Sequence, residues 1–164
     1  MVSRDSTKVM DPVFQIAIAD LLKKYQINVS PTDTQGRDVF ILSIENLDIY
    51  LMGNPRGYLN IACKAGRLLE DVGDEAYVAL LSANLFGLEH PVLSVGVAPE
   101  TREVLLSTRQ PLSELDSAGI FRLVDSVIEH AQALGVWLKS SPGKRSVPFA
   151  RPPASLGPHP SIKL

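Results

Sequence analysis

Three strand-like segments within residues 38–66 constrain the fold more than any other feature of the sequence. β-Branched and aromatic residues, which favour strands, dominate Val39 to Ile44, Leu47 to Met52 and Tyr58 to Lys64. Turn residues separate these runs, first Glu45-Asn46 and then the five residues 53–57. Because such close turns join neighbouring antiparallel strands, the segment predicts an antiparallel meander.

Segments with helical spacing lie on both sides of the meander. A helix is predicted from Pro12 to about Tyr25, because Asp11 is a good N-cap and proline fits the first helical position. Its apolar stripe recurs every three or four residues: Phe14, Ile18, Leu21, Leu22 and Tyr25. A second helix, predicted over residues 74–88 with Gly87 as its C-terminal cap, is apolar on almost every side. Such a helix must be buried on two sides, and one side is a candidate contact with a second subunit.

The last part of the folded chain predicts a hairpin and a long helix. Leu93 to Val97 and Glu103 to Thr108 form the hairpin, and Ser113 with Asp116 has the spacing of a capping box. The helix that follows has a seam at steps of four and three residues: Ile120, Val124, Val127, Ala131, Leu134 and Leu138. The order is therefore α-β-β-β-α-β-β-α. We expect the α+β class, with a twisted antiparallel sheet flanked by helices.

Composition changes near residue 139 and divides the chain. We interpret residues 1–10 as a flexible N-terminus, 11–138 as one α+β domain and 139–164 as a proline-rich, basic, disordered tail. Up to residue 138 there are 11 basic and 18 acidic residues, a net charge of −7, and the remainder adds five basic residues and no acid. The acidic body should repel nucleic acid and anionic membranes, and the scattered basic residues of the tail form no compact patch. We expect neither a nucleic-acid partner nor membrane insertion.

The N-terminus, the single cysteine and the histidines indicate the cellular compartment and the possible chemistry of the protein. No secretory signal is visible at the N-terminus, and the single cysteine, Cys63, suits a reducing cytoplasm. Cys63 is interpreted as a small buried hydrophobe rather than a nucleophile. The histidines His90, His130 and His159 are too far apart for a metal site, and the acidic run around Asp74 lacks the spacing of a calcium loop. The sequence therefore predicts a protein that is not an enzyme, with no catalytic residue, no metal and no cofactor.

Two sequence blocks carry a resemblance to a known family. LLSANLFG, residues 80–87, lies in the second helix, and LLSTRQPL, residues 105–112, leads from the hairpin to the terminal helix. In their order and spacing the chain resembles class I type III secretion chaperones of the Tir-chaperone type, over about residues 11–138. The resemblance implies a homodimer in the bacterial cytoplasm. Such a dimer binds the N-terminal region of a secreted effector, keeps it non-globular and delivers it to the secretion ATPase.

The resemblance also suggests where partners bind. The client groove is expected at the first helix and the meander, where a non-globular segment adds a strand to a sheet edge. The candidate client-binding residues, whose competing interpretation is ordinary core, are Val13, Ile16, Phe40, Leu42, Ile49 and Leu51. The candidate dimer contacts on the second helix are Tyr77, Leu81, Leu85 and Phe86.

Two other functions stay open on the sequence alone. A dimeric regulatory adaptor would bind a folded protein and would not protect an unfolded segment from protease. A small-ligand sensor or enzyme would need a pocket with convergent polar groups. Since we identify no such groups in the sequence, the adaptor ranks above the sensor.

Overall fold

The computed structural model describes residues 11–27, 37–86 and 91–140 together with Val147; at positions 85 and 86 it describes the backbone only. The order of helices and strands in this part of the chain confirms the predicted α-β-β-β-α-β-β-α. The helices are α1 (Pro12–Lys24), α2 (Asp74–Phe86) and α3 (Ser117–Lys139). The strands are β1 (Val39–Ile44), β2 (Leu47–Met52), β3 (Tyr58–Arg67), β4 (Ser94–Val97) and β5 (Glu103–Pro111).

The five strands form one antiparallel sheet in the order β1-β2-β3-β5-β4, and the predicted meander is confirmed. β1 and β2 have the predicted bounds, whereas β3 and β5 each extend three residues beyond them. These two strands pair with each other along their whole length, with an irregularity between Lys64 and Gly66. Their mutual pairing therefore carries strand structure past the apolar runs that the sequence shows.

The core lies on one face of the sheet, beneath α1 and α3. Alternate residues of the strands point into it, as the two-residue period of a strand requires. Phe14, Ile18 and Leu21 pack onto this face from α1. All six members of the predicted α3 seam are buried. This long seam and the stripe of α1 cover one face of the sheet, and no described helix covers the other, which we call the uncovered face.

Both ends of α1 are fastened to the rest of the fold. The Asp11 carboxylate accepts hydrogen bonds from the backbone N–H of Val13, at 3.0 Å, and of Gly57, at 2.9 Å. It therefore caps the helix and joins it to the turn between β2 and β3. At the other end, Tyr25 Oη and Lys24 Nζ each donate to Asp125 of α3 at 2.7 Å. The position of α1 over the sheet is thus fixed at two points.

The start of α3 differs from the prediction. Leu112–Glu114 forms a 3-10 turn, and Leu115 after it is extended, with φ −113° and ψ 122°. Helical backbone therefore begins only at Ser117, and Asp116 is the N-cap, accepting from the N–H of Gly119 at 2.6 Å. The predicted capping box with Ser113 is therefore wrong. The spacing of Ser113 and Asp116 suits the start of a helix, but the extended backbone at Leu115 interrupts the helix between them.

The end of α3 lies at the predicted change of composition, since the helix ends at Lys139. Val147 falls in the predicted disordered tail, yet it is 1% exposed and belongs to the core cluster. The tail prediction is therefore corrected at this position. The predicted flexible N-terminus, the Gly87 cap and the tail residues 141–146 and 148–164 lie outside the described residues. No helix in the described part of the chain is long and apolar enough to cross a membrane.

Candidate functional site

An apolar cleft of about 560 Å³ lies between α1 and β1. Its α1 side is formed by Ile18, Leu21 and Leu22, and Ile27 continues it beyond the helix. Residues 39–43 of β1 and Leu51 of β2 form the other wall. The volume suits a ligand, but Arg37 and Ser43 are the polar side chains of this lining and do not form a convergent set. The cleft therefore fits apolar side chains better than a polar small molecule.

The cleft lies directly beside a sheet edge. Among the described strands, β1 is outermost and has β2 as its one partner. Within residues 11–27, 37–86 and 91–140, no hydrogen bond is made to the outward backbone edge of β1. Such an edge presents unpaired N–H and C=O groups, which are a template for another strand. The protein therefore combines a strand-pairing edge with an apolar cleft at one place.

The opposite edge, β4, has a different neighbour. The side-chain amide of Asn84 on α2 accepts from the N–H of Val95 at 2.7 Å and donates to the C=O of Val95 at 2.9 Å. One amide thus satisfies the donor and the acceptor that a neighbouring strand would otherwise pair. Ala76, Leu80 and Ala83 of α2 are buried in the core cluster. α2 therefore covers this edge.

The six predicted client-binding residues fall into three groups. Phe40, Leu42 and Leu51 line the cleft, with Phe40 half-buried and the other two buried at its floor. Val13 and Ile16 are exposed on α1 and do not line the cleft. Ile49 is wholly buried and does not line it either. In this structure Ile49 is a core residue.

Several cleft residues were not singled out from the sequence. Leu22 and Ile27 extend the wall on the α1 side, and Val39 and Ile41 extend it on β1. The sequence contained a signal for the β1 residues, because four successive apolar positions, 39–42, make both faces of that strand apolar. A strand with one solvated face would show alternation instead.

The predicted dimer contacts are in different environments. Leu81 is 66% exposed, and Val78, one helical turn before it, is also exposed, so α2 presents an apolar patch. Tyr77 is half-buried, and its hydroxyl accepts a hydrogen bond from Arg102 Nη2 at 3.1 Å. The side chains of Leu85 and Phe86 lie outside the described part of the structure.

The titratable groups with possible chemistry are structural. Cys63 is fully buried, as predicted, and burial, followed by the negative charge of Asp48, raises the pKa of its thiol to about 11. A neutral thiol is a poor nucleophile. His130 is half-buried, with Nδ1 2.7 Å from the carbonyl oxygen of Ser126 on the preceding helical turn. His90 and His159 are outside the described residues, within which no His, Cys, Asp and Glu side chains are grouped to hold a metal ion.

Comparison with known families gives a direct match. The model of the Tir chaperone protein (CesT) family matches residues 17–135, which is most of the chain. The chain belongs to this family. The prediction of a type III secretion chaperone is thereby confirmed. Comparison with curated protein sequences gave no significant match.

Solved structures share the fold. A chain of the ExoT–SpcS complex from Pseudomonas aeruginosa is 26% identical, with 75% of this chain and 97% of that chain covered and a TM-score of 0.52. The type III secretion chaperone SycH of Yersinia pestis, bound to a fragment of YscM2, is 15% identical, with coverage of 72% and 96% and a TM-score of 0.58. The ExsC–ExsE complex contains a chain 17% identical, with coverage of 81% and 98% and a TM-score of 0.61. These likenesses confirm the predicted fold class.

Proposed function

We propose that this protein binds the N-terminal chaperone-binding region of a secreted effector, keeps it non-globular and delivers it to the secretion apparatus. It acts as a homodimer in the bacterial cytoplasm and carries out no catalysis. Membership of the chaperone family supports this function, as do the effectors in related complexes such as HopA1–SchA, a chaperone–effector complex. The observation that carries the proposal is the apolar cleft beside the edge of β1 that no described residue pairs.

The client enters as an extended strand. Its backbone pairs with the outward groups of β1, and these hydrogen bonds impose no sequence requirement. The client side chains on one face of this strand then cover Phe40 and Leu22 in the cleft, and those on the other face cover Ile41. Burying two aliphatic side chains there contributes roughly 3–6 kcal/mol. Because the paired segment cannot form strands with the rest of its own chain, the effector stays non-globular.

The dimer is assigned to the other end of the sheet. The exposed apolar patch of α2 lies next to β4, whereas the cleft lies next to β1. Two protomers joined through Leu81 and its neighbours on α2 would therefore leave both clefts accessible. A dimer of this kind offers two client sites.

Affinity purification of the tagged full-length protein from its native bacterium tests the function. We expect secreted proteins to co-purify through their N-terminal regions. Leu22→Lys places a charge in the cleft and should reduce their recovery at least about tenfold, a loss of ~1.4 kcal/mol or more. Ala19→Lys, at an exposed position of the same helix, is the matched control and should change recovery less than about twofold.

The urea midpoint of each variant is measured in parallel, and Ile41→Lys repeats the test if Leu22→Lys unfolds. Ile41 is exposed and lines the cleft, so a charge there spares the core. Purification of the wild-type protein without any protein partner would contradict the proposed function. Equal recovery with the cleft variants would instead show that the client binds elsewhere.

The dimer interface has a separate test. Leu81→Glu should convert the dimer to a monomer, because it places a charge in the apolar patch of α2. Val136→Glu, at a position on α3 with nearly the same exposure (68% against 66%), should leave the mass unchanged. Light scattering measures both masses. A dimer that survives Leu81→Glu would locate the interface elsewhere.

A further inference from the structure

The uncovered face of the sheet, opposite α1 and α3, contains a depression of about 450 Å³. The strand register places the small residues Ala62, Ser107 and Ser94 side by side across β3, β5 and β4. Larger side chains border this row, and Asn60 and Arg109 lie opposite each other next to it. The depression is therefore a shallow site of mixed polar and apolar lining, with an arginine at its border.

The guanidinium of Arg109 is held in place. Its Nε donates to the Oδ1 of Asn60 at 2.9 Å, and its Cζ lies 5.0 Å from the ring centroid of Tyr58. Asn60 is anchored in turn, since its Nδ2 donates to the backbone carbonyl of Asn54 at 2.9 Å. A cation over an aromatic face and a hydrogen bond at Nε fix the plane of the fork. The free protein has therefore already lost part of the side-chain entropy that Arg109 would lose on binding a ligand.

Among the described residues, no carboxylate matches the charge of Arg109. In the described part of the chain its two terminal nitrogens have no acceptor, and no carboxylate forms an ion pair with it. Lys64, on the same face, is in contrast paired with Glu103. Two terminal N–H groups in a fixed plane match the two oxygens of a carboxylate. Arg109 therefore offers an oriented, unoccupied site for one acidic group.

We propose that Arg109 binds an aspartate or glutamate side chain of the client segment as that segment crosses the uncovered face of the sheet. This inference rests on the proposed function for the identity of the occupant. Residues 1–138 carry a net charge of −7, so an acidic client side chain is repelled over most of the surface. The pairing with Arg109 consequently fixes which residue of the client lies at the depression, and the apolar cleft contributes the larger share of affinity.

The first test measures client recovery with variants of the full-length protein. Arg109→Gln should lower recovery about tenfold, and Arg109→Lys, which keeps the charge but loses the fork, should restore only part of it. Lys64→Gln removes a charge from the same face and should change recovery less than about twofold. Unchanged recovery with Arg109→Gln would overturn the proposal. A fall of the Arg109→Gln mass from dimer to monomer would also overturn it, because the occupant would then be a second copy.

The second test needs no client. Blocked pentapeptides with a central aspartate, and otherwise identical peptides with asparagine, are titrated into isotope-labelled protein while the Nε–Hε resonance of Arg109 is followed. The aspartate peptide should shift this resonance and bind at least about tenfold more tightly than its twin, and Arg109→Gln should bind both alike. Equal binding of the twins by the wild-type protein would contradict the site. The wild-type protein could prefer the aspartate peptide and yet capture no secreted protein. That result would disprove the proposed function and leave the carboxylate site at Arg109 intact.

Discussion

The two edges of the sheet differ in whether described residues pair with their outward backbone groups. At β4, the Asn84 amide pairs with both backbone groups of Val95, and α2 packs alongside the strand. At β1, no described residue takes that place, and the neighbouring surface is an apolar cleft. Edge strands are usually protected against pairing with other chains. The described residues protect one edge and leave the other exposed, and we propose that the client pairs there.

This difference assigns the two proposed associations of the protein to opposite ends of the sheet. The end closed by α2 carries the exposed apolar patch that we assign to the dimer. The end at β1 carries the client cleft. Each association can therefore be altered without the other. A substitution at one edge then serves as a control for a substitution at the other.

The largest effect is expected for the reactivity of Cys63, two strands in from β1. Its full burial and raised pKa should make native alkylation at pH 8 at least about 1000-fold slower than in the urea-unfolded chain. The rates are measured by mass spectrometry. Rapid native alkylation would show that β1 and β2 open readily, and the edge of β1 would then not be a preformed site.

Removal of the Asn84 amide should weaken the closed edge. Asn84→Ala leaves both backbone groups of Val95 without their partner and should cost about 2 kcal/mol in the free energy of unfolding. Asn46→Ala, in the exposed turn between β1 and β2, should stay within about 0.5 kcal/mol of the wild type. Urea unfolding measures both. Equal stability of the two variants would mean that the amide does not protect β4.

The position of α1, which forms one wall of the cleft beside β1, depends on Asp11. Asp11→Ala removes the cap of α1 and the bond to Gly57, and should cost about 1–2 kcal/mol. Asp11→Ser keeps a capping oxygen but is too short to reach both N–H groups, so it should recover part of this loss. Thermal unfolding distinguishes the three proteins. A serine variant no more stable than alanine would show that the Gly57 bond, rather than the cap, holds α1.

The smallest effect is a dependence on pH at the far end of α1. Burial alone would raise the pKa of Asp125, but the hydrogen bonds from Lys24 and Tyr25, with the charge of Lys24, outweigh it and lower the pKa below its usual value. The stabilisation is therefore complete above the unfolded value of about 3.9 and is lost as the pH falls through the lower, folded value. Because the carboxylate is 55% exposed, we expect less than about 1 kcal/mol.

Unfolding in urea at pH 6 and pH 3 tests this dependence against Asp125→Asn. The stability difference between the two proteins should shrink at the lower pH. A difference that is the same at both values would remove Asp125 from the attachment of α1 to α3.

Local patterns were sufficient for much of the fold. β1 and β2 were predicted to the residue, because tight turns and β-branched runs mark both ends of these strands. All six predicted members of the α3 seam are buried, but Leu123 and Trp137 of the same helix are buried as well and were not predicted. The lengths of β3 and β5 were not predicted either, because they depend on pairing between segments more than 35 residues apart. The capping residue of α3 was missed because Ser113 and Asp116 have a suitable spacing whether or not the backbone between them is helical.

The site was less accessible to sequence reasoning. Phe40, Leu42 and Leu51 line the cleft, but nothing local in the sequence separates them from Ile49, which is core. That distinction depends on where α1 ends above the sheet. The role of Asn84 was also invisible, since an asparagine in an apolar helix gives no sign that its amide pairs with a strand eleven residues later.

Hydrogen exchange directly tests whether the client pairs with the edge of β1 rather than with that of β4. Amide exchange of the full-length protein is compared with and without the client region recovered by affinity purification. We predict that the amides of β1, residues 39–44, exchange at least about tenfold more slowly in the complex. The exchange rates of the β4 amides, residues 94–97, should not change. Slower exchange at β4 with no change at β1 would contradict it, because the client would then bind at the edge that Asn84 closes.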